Sequence, residues 1–563
     1  MHLTILDWGI VIGFMALTVI IGFLVSRQAS KDSSSYFLGG RNMPWWLLGG
    51  SMVATTFAAD TPNLVTNLVR INGVAGNWVW WAFLITGMLT TFVYARLWRR
   101  LGVATDIEFY ERRYSGKPAE FLRGFRAVYL GLFFNVMIMG NVTLAAVKIG
   151  SVLFSAPPVL MVLTAGAVTV VFSTVGGFLG VLITDMILFV LSMAGSLLAA
   201  YYAVNHPAVG GLEALIKNTA ISDKISLLPD MSDPNQWVPL LLIPLAVQWW
   251  SAWYPGAEPG GGGYIAQRML AARNENHALG ASAFFNVANY TLRPWPWILV
   301  ALASILVFPD LDSIHQAMPQ VPENIIGDDM AYPAMLTFLP VGILGLVVAS
   351  LASAYVSTIS THLNWGASYF VNDVYRRFIR PDASEKHLVW IGRVTTVTLM
   401  VSASILALFL KDAFQAFRLL LTIGAGTGLL FLLRWFWMRI NVWSEIAAMV
   451  SSFLFSLFFE FGPYDGLEDW KKFVLSVALT TAAWVGITLL THATPQQKQD
   501  DFKASISLKE GEISKGLYAT LMSTVAIYAI LFATGSVIFA NYGLALVLFM
   551  VSVICGYGVR RLF

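Results

Sequence analysis

Fifteen apolar runs, each close to the roughly 20 residues that a helix needs to cross a bilayer, follow one another along the chain. They fall near residues 6–26, 45–69, 75–97, 124–153, 158–175, 178–204, 236–256, 279–308, 335–370, 389–410, 413–433, 441–461, 473–492, 516–536 and 538–558. Hydrocarbon offers no water to backbone N–H and C=O groups, so long apolar segments of this kind resolve into helices that satisfy themselves. The expected fold class is therefore all-α, a polytopic membrane protein of about fifteen transmembrane helices, with the lipid bilayer as its constant partner. Composition agrees: 57% of residues are hydrophobic and 12% charged, against about 25% charged in a soluble domain. The first run, "LDWGIVIGFMALTVIIGFLV", has no small-residue cleavage site after it and reads as a span rather than a signal peptide.

Lysine and arginine set an orientation. With the spans alternating from the loop that carries Arg27, Lys31 and Arg41, 26 of the 35 basic residues fall on that side and six on the other. Such a bias makes the basic side cytoplasmic, the N-terminus external and the C-terminus internal. Miscounting one span before residue 441 would destroy the alternation. Net charge is only +3 and the basic residues are not interleaved with aromatic platforms, so no nucleic acid is expected. The single cysteine, Cys555, excludes an internal disulfide and a cysteine-based metal site.

Four stretches interrupt the apolar pattern. In "GGSMVATTFAADTPNLV", Asp60 and Pro62 fall near the middle of the second span. A carboxylate there is costly and proline removes a backbone donor, so the helix is expected to unwind over residues 54–62 where it lines a cavity. A plain proline kink, with Asp60 capping the second half, is the simpler reading. In "QWWSAWYPGAEPGGGGYIAQRML", Pro255, Gly256, Pro259 and Gly260 to Gly263 cannot continue as helix, and Glu258 lies inside the break. No Lys-Ser/Thr follows these glycines, so this is not a nucleotide loop, though a loop outside the hydrocarbon is an alternative. In "STVGGFLGVLITDMILFVL", Asp185 enters a span, as a site residue, as an interfacial cap or in a salt bridge to a basic neighbour.

The fourth stretch is "ASAYVSTISTHLN", residues 352–364. At 100° per residue Ser353, Ser357, Ser360 and Asn364 share one face, and Ala354, Thr358 and Thr361 share the next. Small hydroxylated residues also favour ordinary packing between membrane helices. Opposite a broken helix with freed carbonyls, however, such a stripe supplies an all-oxygen shell for a small alkali cation.

The chain resembles the solute:sodium symporter family, which includes sodium–proline, sodium–sugar and sodium–sialic acid transporters. "YFLGGRNMPWWLLGGSMVAT", "TDIEFYERRYSG", "STVGGFLGVLITD", "YIAQRMLAAR", "DDMAYPAMLTFLPVGILGLVVASLASAYVSTISTHLN" and "FVNDVYRRF" occur in the family's order, over about residues 6 to 440. The resemblance implies one transporter domain, 1–563, with a five-plus-five inverted repeat of the LeuT type over about residues 45–435. One helix (6–26) precedes the repeat and about four (441–558) follow it. By the same resemblance the cofactor is Na+. Its main site maps to the carbonyls of Ala54, Phe57 and Ala354 and the hydroxyls of Ser357 and Thr358. Asp185, Ser360 and Thr361 match a second sodium site that some members hold.

Solute recognition departs from the relatives. The insertion "PGAEPGGGG" stands ahead of Gln267 and Arg268, and the glutamines that sugar carriers use are not matched around Phe414 to Arg418. Asp60 aligns with an acidic sugar-binding position. The expected solute site joins Asp60, Trp253, Tyr254 and Glu258, suited to a polyhydroxylated or cationic solute. The resulting expectation is sodium-coupled import of a small polar solute, a sugar, polyol or amino-acid-like compound, across a bacterial inner membrane. Proton coupling through Asp60, Asp185 or Glu258 is the nearest alternative. A non-transporting sensor lacks an output domain here, and an enzyme lacks a clustered acid–base or metal set, the seven histidines being scattered.

Overall fold

Glycine and proline decide where the long helices of this chain stop. The computed structural model describes all residues except 1–2, 30, 155–156, 253–257, 320, 322–325, 411–412, 463–465 and 563, together with all side chains except those and 26–29, 175 and 413–421. Among the described residues the protein is helical throughout, with one isolated bridge between Met43 and Ala272.

The first helix, α1, runs Ile5–Ala29. The second apolar run appears as two half-helices, α2 (Trp45–Thr56) and α3 (Thr61–Asn72). Then come α4 (Val74–Leu101), α5 (Lys117–Phe154), α6 (Pro158–Thr174) and α7 (Gly176–Val204). Between α6 and α7 the chain turns a sharp corner at Gly177, whose φ of 54° and ψ of −162° suit only glycine. That corner is where the two spans at 158–175 and 178–204 divide in the sequence. Gly22 of α1 crosses it: a Cβ on Gly176 would lie 3.2 Å from Gly22 Cα, close contact of the kind small residues permit between membrane helices.

The second broken span comprises α8 (234–246), a short turn at Gln248–Trp250, and α9 (Gly263–Ala271). Next are α10 (Glu275–Val307), α11 (Ile343–Ile379) and α12 (Glu385–Phe409), followed by α13 (Ala413–Leu433), α14 (Val442–Phe461) and α15 (Asp469–Leu490). A short polar helix, α16 (Gln496–Ile506), precedes the last pair, α17 (Glu512–Ile538) and α18 (Tyr542–Leu562). Eleven of these are continuous, long and apolar enough to cross a membrane. The broken pairs α2/α3 and α8/α9, with the shorter α6 and α13, account for the remaining runs of the sequence.

Burial separates core from periphery. The apolar window of α11 is 83% buried, that of α18 only 6%. Helix α11 packs against α7, α1 and α2, while α18 packs on α17 and presents its Leu, Val and Phe side chains outward. The hydroxyl stripe of α11 thus lies at the centre of the bundle, facing the end of α2. At one end of this core Asp7 of α1 accepts hydrogen bonds from the backbone N–H groups of Gly342 (2.7 Å) and Gly345 (2.9 Å), an anion set at the start of α11.

Candidate functional site

Helix α2 ends at Thr56 and α3 begins at Thr61, so residues 57–60 form the break. Proline as the second residue of α3 suits a helix start, where its missing N–H is not needed. Asp60 stands at the cap position, yet its side chain makes no capping bond. A proline kink capped by Asp60 is therefore not the arrangement. Instead the freed carbonyls are taken by distant groups. The Thr55 carbonyl accepts from the Thr358 hydroxyl at 2.8 Å. The Thr56 carbonyl accepts from Arg293 Nη2 at 2.6 Å, and the Thr56 hydroxyl from Arg293 Nη1 at 2.7 Å. Arg293 also donates to Asn289, and its guanidinium lies 5.3 Å from the ring centre of Phe57 and 5.1 Å from that of Trp297.

The stripe on α11 divides its tasks. Ser357 donates to Asp185 Oδ1 (2.6 Å), and Thr361 pairs with the Thr55 hydroxyl (3.0 Å). Ser360 bonds back to the Ser357 carbonyl at 3.1 Å, and Ser353 to that of Ala349. Asn364 donates to the Tyr36 carbonyl and accepts from Gln267. A hydroxyl that donates its proton keeps its lone pairs. Ser357 and Thr358, with their protons directed at Asp185 and Thr55, therefore offer oxygen beside the end of α2, where Ala54 and Phe57 lie. Ala354 is one turn away on α11. No charged ligand belongs to this set, which suits a monovalent cation of modest charge density better than a divalent one.

Asp185 on α7 is fully buried, and its surroundings include a basic neighbour, Arg268, as one of the sequence readings allows. Its Oδ2 accepts from Ser51 at 2.5 Å and lies 3.9 Å from Arg268 Nη2. An interfacial cap is excluded by this burial. Arg268 in turn donates to Ser51 and, at 2.8 Å, to Thr361. Of the residues matched to a second sodium site, Asp185 and Thr361 meet through Arg268 and Ser51, whereas the Ser360 hydroxyl is turned to its own helix.

The second break is a close-packed junction. Gly260 and Gly261 take φ values of 78° and 93°, open to glycine alone. Glu258, expected in the solute pocket, is instead buried and ion-paired with Arg126 of α5, whose guanidinium stacks over Tyr110 and Phe431. A carboxylate so held is not a free acceptor for solute, and its negative charge is compensated. Trp253 and Tyr254 lie outside the described residues. Ser251 Oγ and Trp250 Nε1, at the near edge of the break, are buried and make no hydrogen bond among the described residues.

Asp106, in the loop between α4 and α5, clamps this junction. Its Oδ2 accepts from the Gly263 backbone N–H at 2.8 Å, at the start of α9, and its Oδ1 from the Tyr369 hydroxyl of α11 at 2.5 Å. Burial, together with the Glu258 and Asp373 carboxylates, pushes Asp106 up to about 7 against the lowering effect of those two hydrogen bonds. A group raised in one arrangement favours that arrangement at low pH. The clamp is tightest near pH 4, where a hydrated aspartate titrates, and weakens as pH rises to about 7. Acidifying the inside of a vesicle from pH 7 to 6 is therefore expected to slow solute release severalfold in wild type and to leave Asp106→Asn unchanged. Equal pH dependence in both would refute this role.

Comparison with known proteins follows the same lines. Residues 36–452 match the model of the sodium:solute symporter family. The sodium/glucose cotransporter of Vibrio parahaemolyticus is 27% identical over 466 residues, covering 80% of this chain and 84% of that protein. The human sodium/myo-inositol cotransporter 2 is 24% identical over 488 residues, covering 80% and 69%. The bovine sodium/mannose cotransporter SLC5A10 is 24% identical over 425 residues, covering 71% and 68%. The structure of a Na+-coupled sialic acid symporter superposes with a TM-score of 0.71 at 20% identity, over 88% of this chain and 99% of that one, and so shares the fold. With a family match across most of its length and the LeuT-like helical fold around the break, the chain belongs to the sodium:solute symporter family.

Proposed function

We propose that the protein imports a neutral polyhydroxylated solute, a sugar or polyol, together with sodium. The observation that carries this reading is the bond from Thr358 to the Thr55 carbonyl, which holds the hydroxyl stripe against the broken end of α2. The sodium ligands in this reading are the carbonyls of Ala54, Phe57 and Ala354 and the hydroxyls of Ser357 and Thr358. Sodium binds first, joins α2 to α11 and preforms the solute pocket, so that its differential affinity for the outward-facing state drives the cycle. Each ion crossing 100 mV contributes about 2.3 kcal/mol, enough for nearly two decades of solute gradient. The basic side faces the cytoplasm, with the N-terminus outside and the C-terminus inside, in a bacterial inner membrane. One transporter domain, its repeat near residues 45–435, carries the whole activity.

Charge compensation supports a neutral solute. Glu258 is matched by Arg126, and Arg293 lies within electrostatic reach of Asp60. Among the described residues, neither a free acid pair for a cation nor a spare arginine for a carboxylate stands in the breaks. The sugar and inositol cotransporters among the relatives point to the same class. A thermal-shift screen of sugars, polyols, amino acids and carboxylates, in Na+ and in K+, tests it. A sugar or polyol that stabilises only in Na+ is the expected result, because a ligand that binds the native state raises its stability. Stabilisation by a carboxylate or amino acid alone would replace the solute class. Uptake into proteoliposomes driven by a proton gradient without sodium would replace the coupling ion.

Asp60, the last residue of the break, whose side chain makes no capping bond, is the proposed solute acceptor. Asp60→Asn is expected to weaken solute binding at least tenfold while sodium binding without solute stays within threefold. A charge-assisted bond to a hydroxyl is worth about 1.5–3 kcal/mol. Normal solute affinity in this variant would remove Asp60 from the pocket.

A further inference from the structure

Helix α16 has 11 residues, too few to cross a bilayer, and lies on the cytoplasmic side in the orientation proposed above. Gln499, Phe502 and Ile506 are buried and fall on one helical face, while Asp500, Asp501 and Lys503 are exposed. The buried face sits against the end of α4. There Arg100 Nη1 donates to the carbonyls of Ile506 (3.3 Å) and Ser507 (3.4 Å), a cation at the C-terminus of α16. The same guanidinium holds Glu512 at the start of α17, at 2.9 and 2.7 Å, so the corner between α16 and α17 is fixed to α4.

Phe502 reaches deepest. Its ring packs edge-on against Phe109, 5.5 Å between centres, and lies 6.0 Å from Trp435, with the Arg113 guanidinium 5.4 Å away. Trp98 of α4 packs on the same two rings, 4.9 Å from Trp435 and 5.8 Å from Phe109. Its indole Nε1 donates to the Gly260 carbonyl at 2.7 Å. The glycine run rests on this indole: a Cβ on Gly261 would lie 2.9 Å from Trp98 Nε1, and one on Gly260 3.3 Å from the Tyr94 ring. A buried carbonyl in unwound chain needs a donor, and the indole N–H supplies it. One layer of rings thus separates Phe502 from the group that seats the second break.

We propose that α16 is a cytoplasmic strap and that Phe502 is a positioning residue for the second break: through the rings of Phe109 and Trp435 it holds Trp98 under Gly260 and keeps the break closed toward the cytoplasm. The proposal rests on the symport reading for the meaning of that closure, since solute leaves when the break opens. Glycines have no side chains with which to anchor themselves, so the run depends on what grips its backbone. Asp106 holds it at Gly263 and Trp98 at Gly260. Close-packed rings pass a displacement on rather than absorb it, so the seat of Gly260 follows the docking of Phe502.

Hydrogen–deuterium exchange of the purified full-length protein, read on the peptide 258–264, tests this. Exchange there is slow in wild type, because the Gly261 N–H donates to the Glu258 carbonyl at 2.9 Å and the Gly263 N–H to Asp106. Phe502→Ala leaves a cavity beside the rings and should speed exchange at least tenfold. Phe502→Leu keeps most of the apolar volume and should stay within threefold of wild type. Trp98→Phe keeps a ring, loses the bond to Gly260 and should match Phe502→Ala. The double variant should be no faster than Trp98→Phe alone, because Phe502 acts through Trp98. A peptide from α11, 343–356, should be unchanged in all of them. Wild-type exchange at 258–264 in Phe502→Ala would overturn the proposal. So would additive effects in the double variant, or an equal rise in the α11 peptide, which would make Phe502 a general packing residue. Exchange is read without sodium or solute, so its failure leaves symport standing. Absence of sodium-driven uptake by wild type, beside the expected exchange results, would overturn the symport reading alone.

Discussion

Truncating Ser357 or Thr358 to alanine is expected to raise the sodium concentration for half-maximal uptake at least tenfold. Each hydroxyl is proposed to give one of five oxygens to the ion, and a bond to a charged partner is worth about 1.5–3 kcal/mol, a ten- to hundredfold change. The two substitutions differ in what else they remove. Thr358→Ala releases the Thr55 carbonyl, which no longer meets α11 at 2.8 Å. Ser357→Ala takes a hydrogen bond from the buried Asp185 and so also lowers stability, by about 1–3 kcal/mol. Thr358→Ser retains the oxygen and should stay within a few-fold of wild type. Sodium titrations of uptake, at matched amounts of folded protein, read all three. Unchanged sodium dependence in both alanine variants would move the ion away from this stretch.

The parts of this site that are legible in the sequence are those governed by local geometry. Proline and glycine mark both breaks and the corner at Gly177 because these residues restrict the backbone where they stand. The hydroxyl stripe is legible because helical periodicity assigns faces without reference to any other helix. Periodicity does not say which hydroxyls face a partner. Ser353 and Ser360 share the face of Ser357, yet both bond to the carbonyls of their own helix.

Long-range charge pairing is the part that stays hidden. Glu258 and Arg126 are 132 positions apart, and Arg293 meets Thr56 across 237. Neither spacing carries a pattern. Asp60 and Glu258, read without their arginines, look like two acids in one pocket and admit a cationic solute beside a polyhydroxylated one. With Arg126 paired to Glu258 and Arg293 near Asp60, that argument loses its force, which is why the proposed solute is neutral. The signal that was available lies in cost: a charge inside a membrane span requires a partner, so each buried arginine is a reason to look for its anion or carbonyl. Arg268 and Arg293 are legible as anomalies even where their partners are not.

Gly428→Ala on α13 is expected to reduce uptake at least a hundredfold. A methyl group at that position would lie 1.8 Å from the Trp250 carbonyl oxygen and 2.8 Å from its carbon. The obstacle is backbone at the edge of the second break, not the end of a flexible side chain, so α13 must withdraw or the turn at Gln248–Trp250 must shift. Gly424, one turn earlier, meets the same segment, with its Cβ position 2.4 Å from the Ala252 oxygen. The two glycines let α13 lie directly on the unwound chain, as small residues do where membrane helices approach closely. Intrinsic propensity points the other way, since alanine favours a helix over glycine by about 1 kcal/mol. Gly486→Ala on α15, with nothing within 4 Å of the added methyl, isolates that effect and should transport normally. A shift at the break misplaces Ser251 and the start of α9 together, and hence both the proposed solute pocket and Arg268. Folded yield by fluorescence-detected gel filtration separates misfolding from a misplaced break, and the expected result is assembled protein that binds no solute. Wild-type transport by Gly428→Ala would mean that α13 and the break are not in contact.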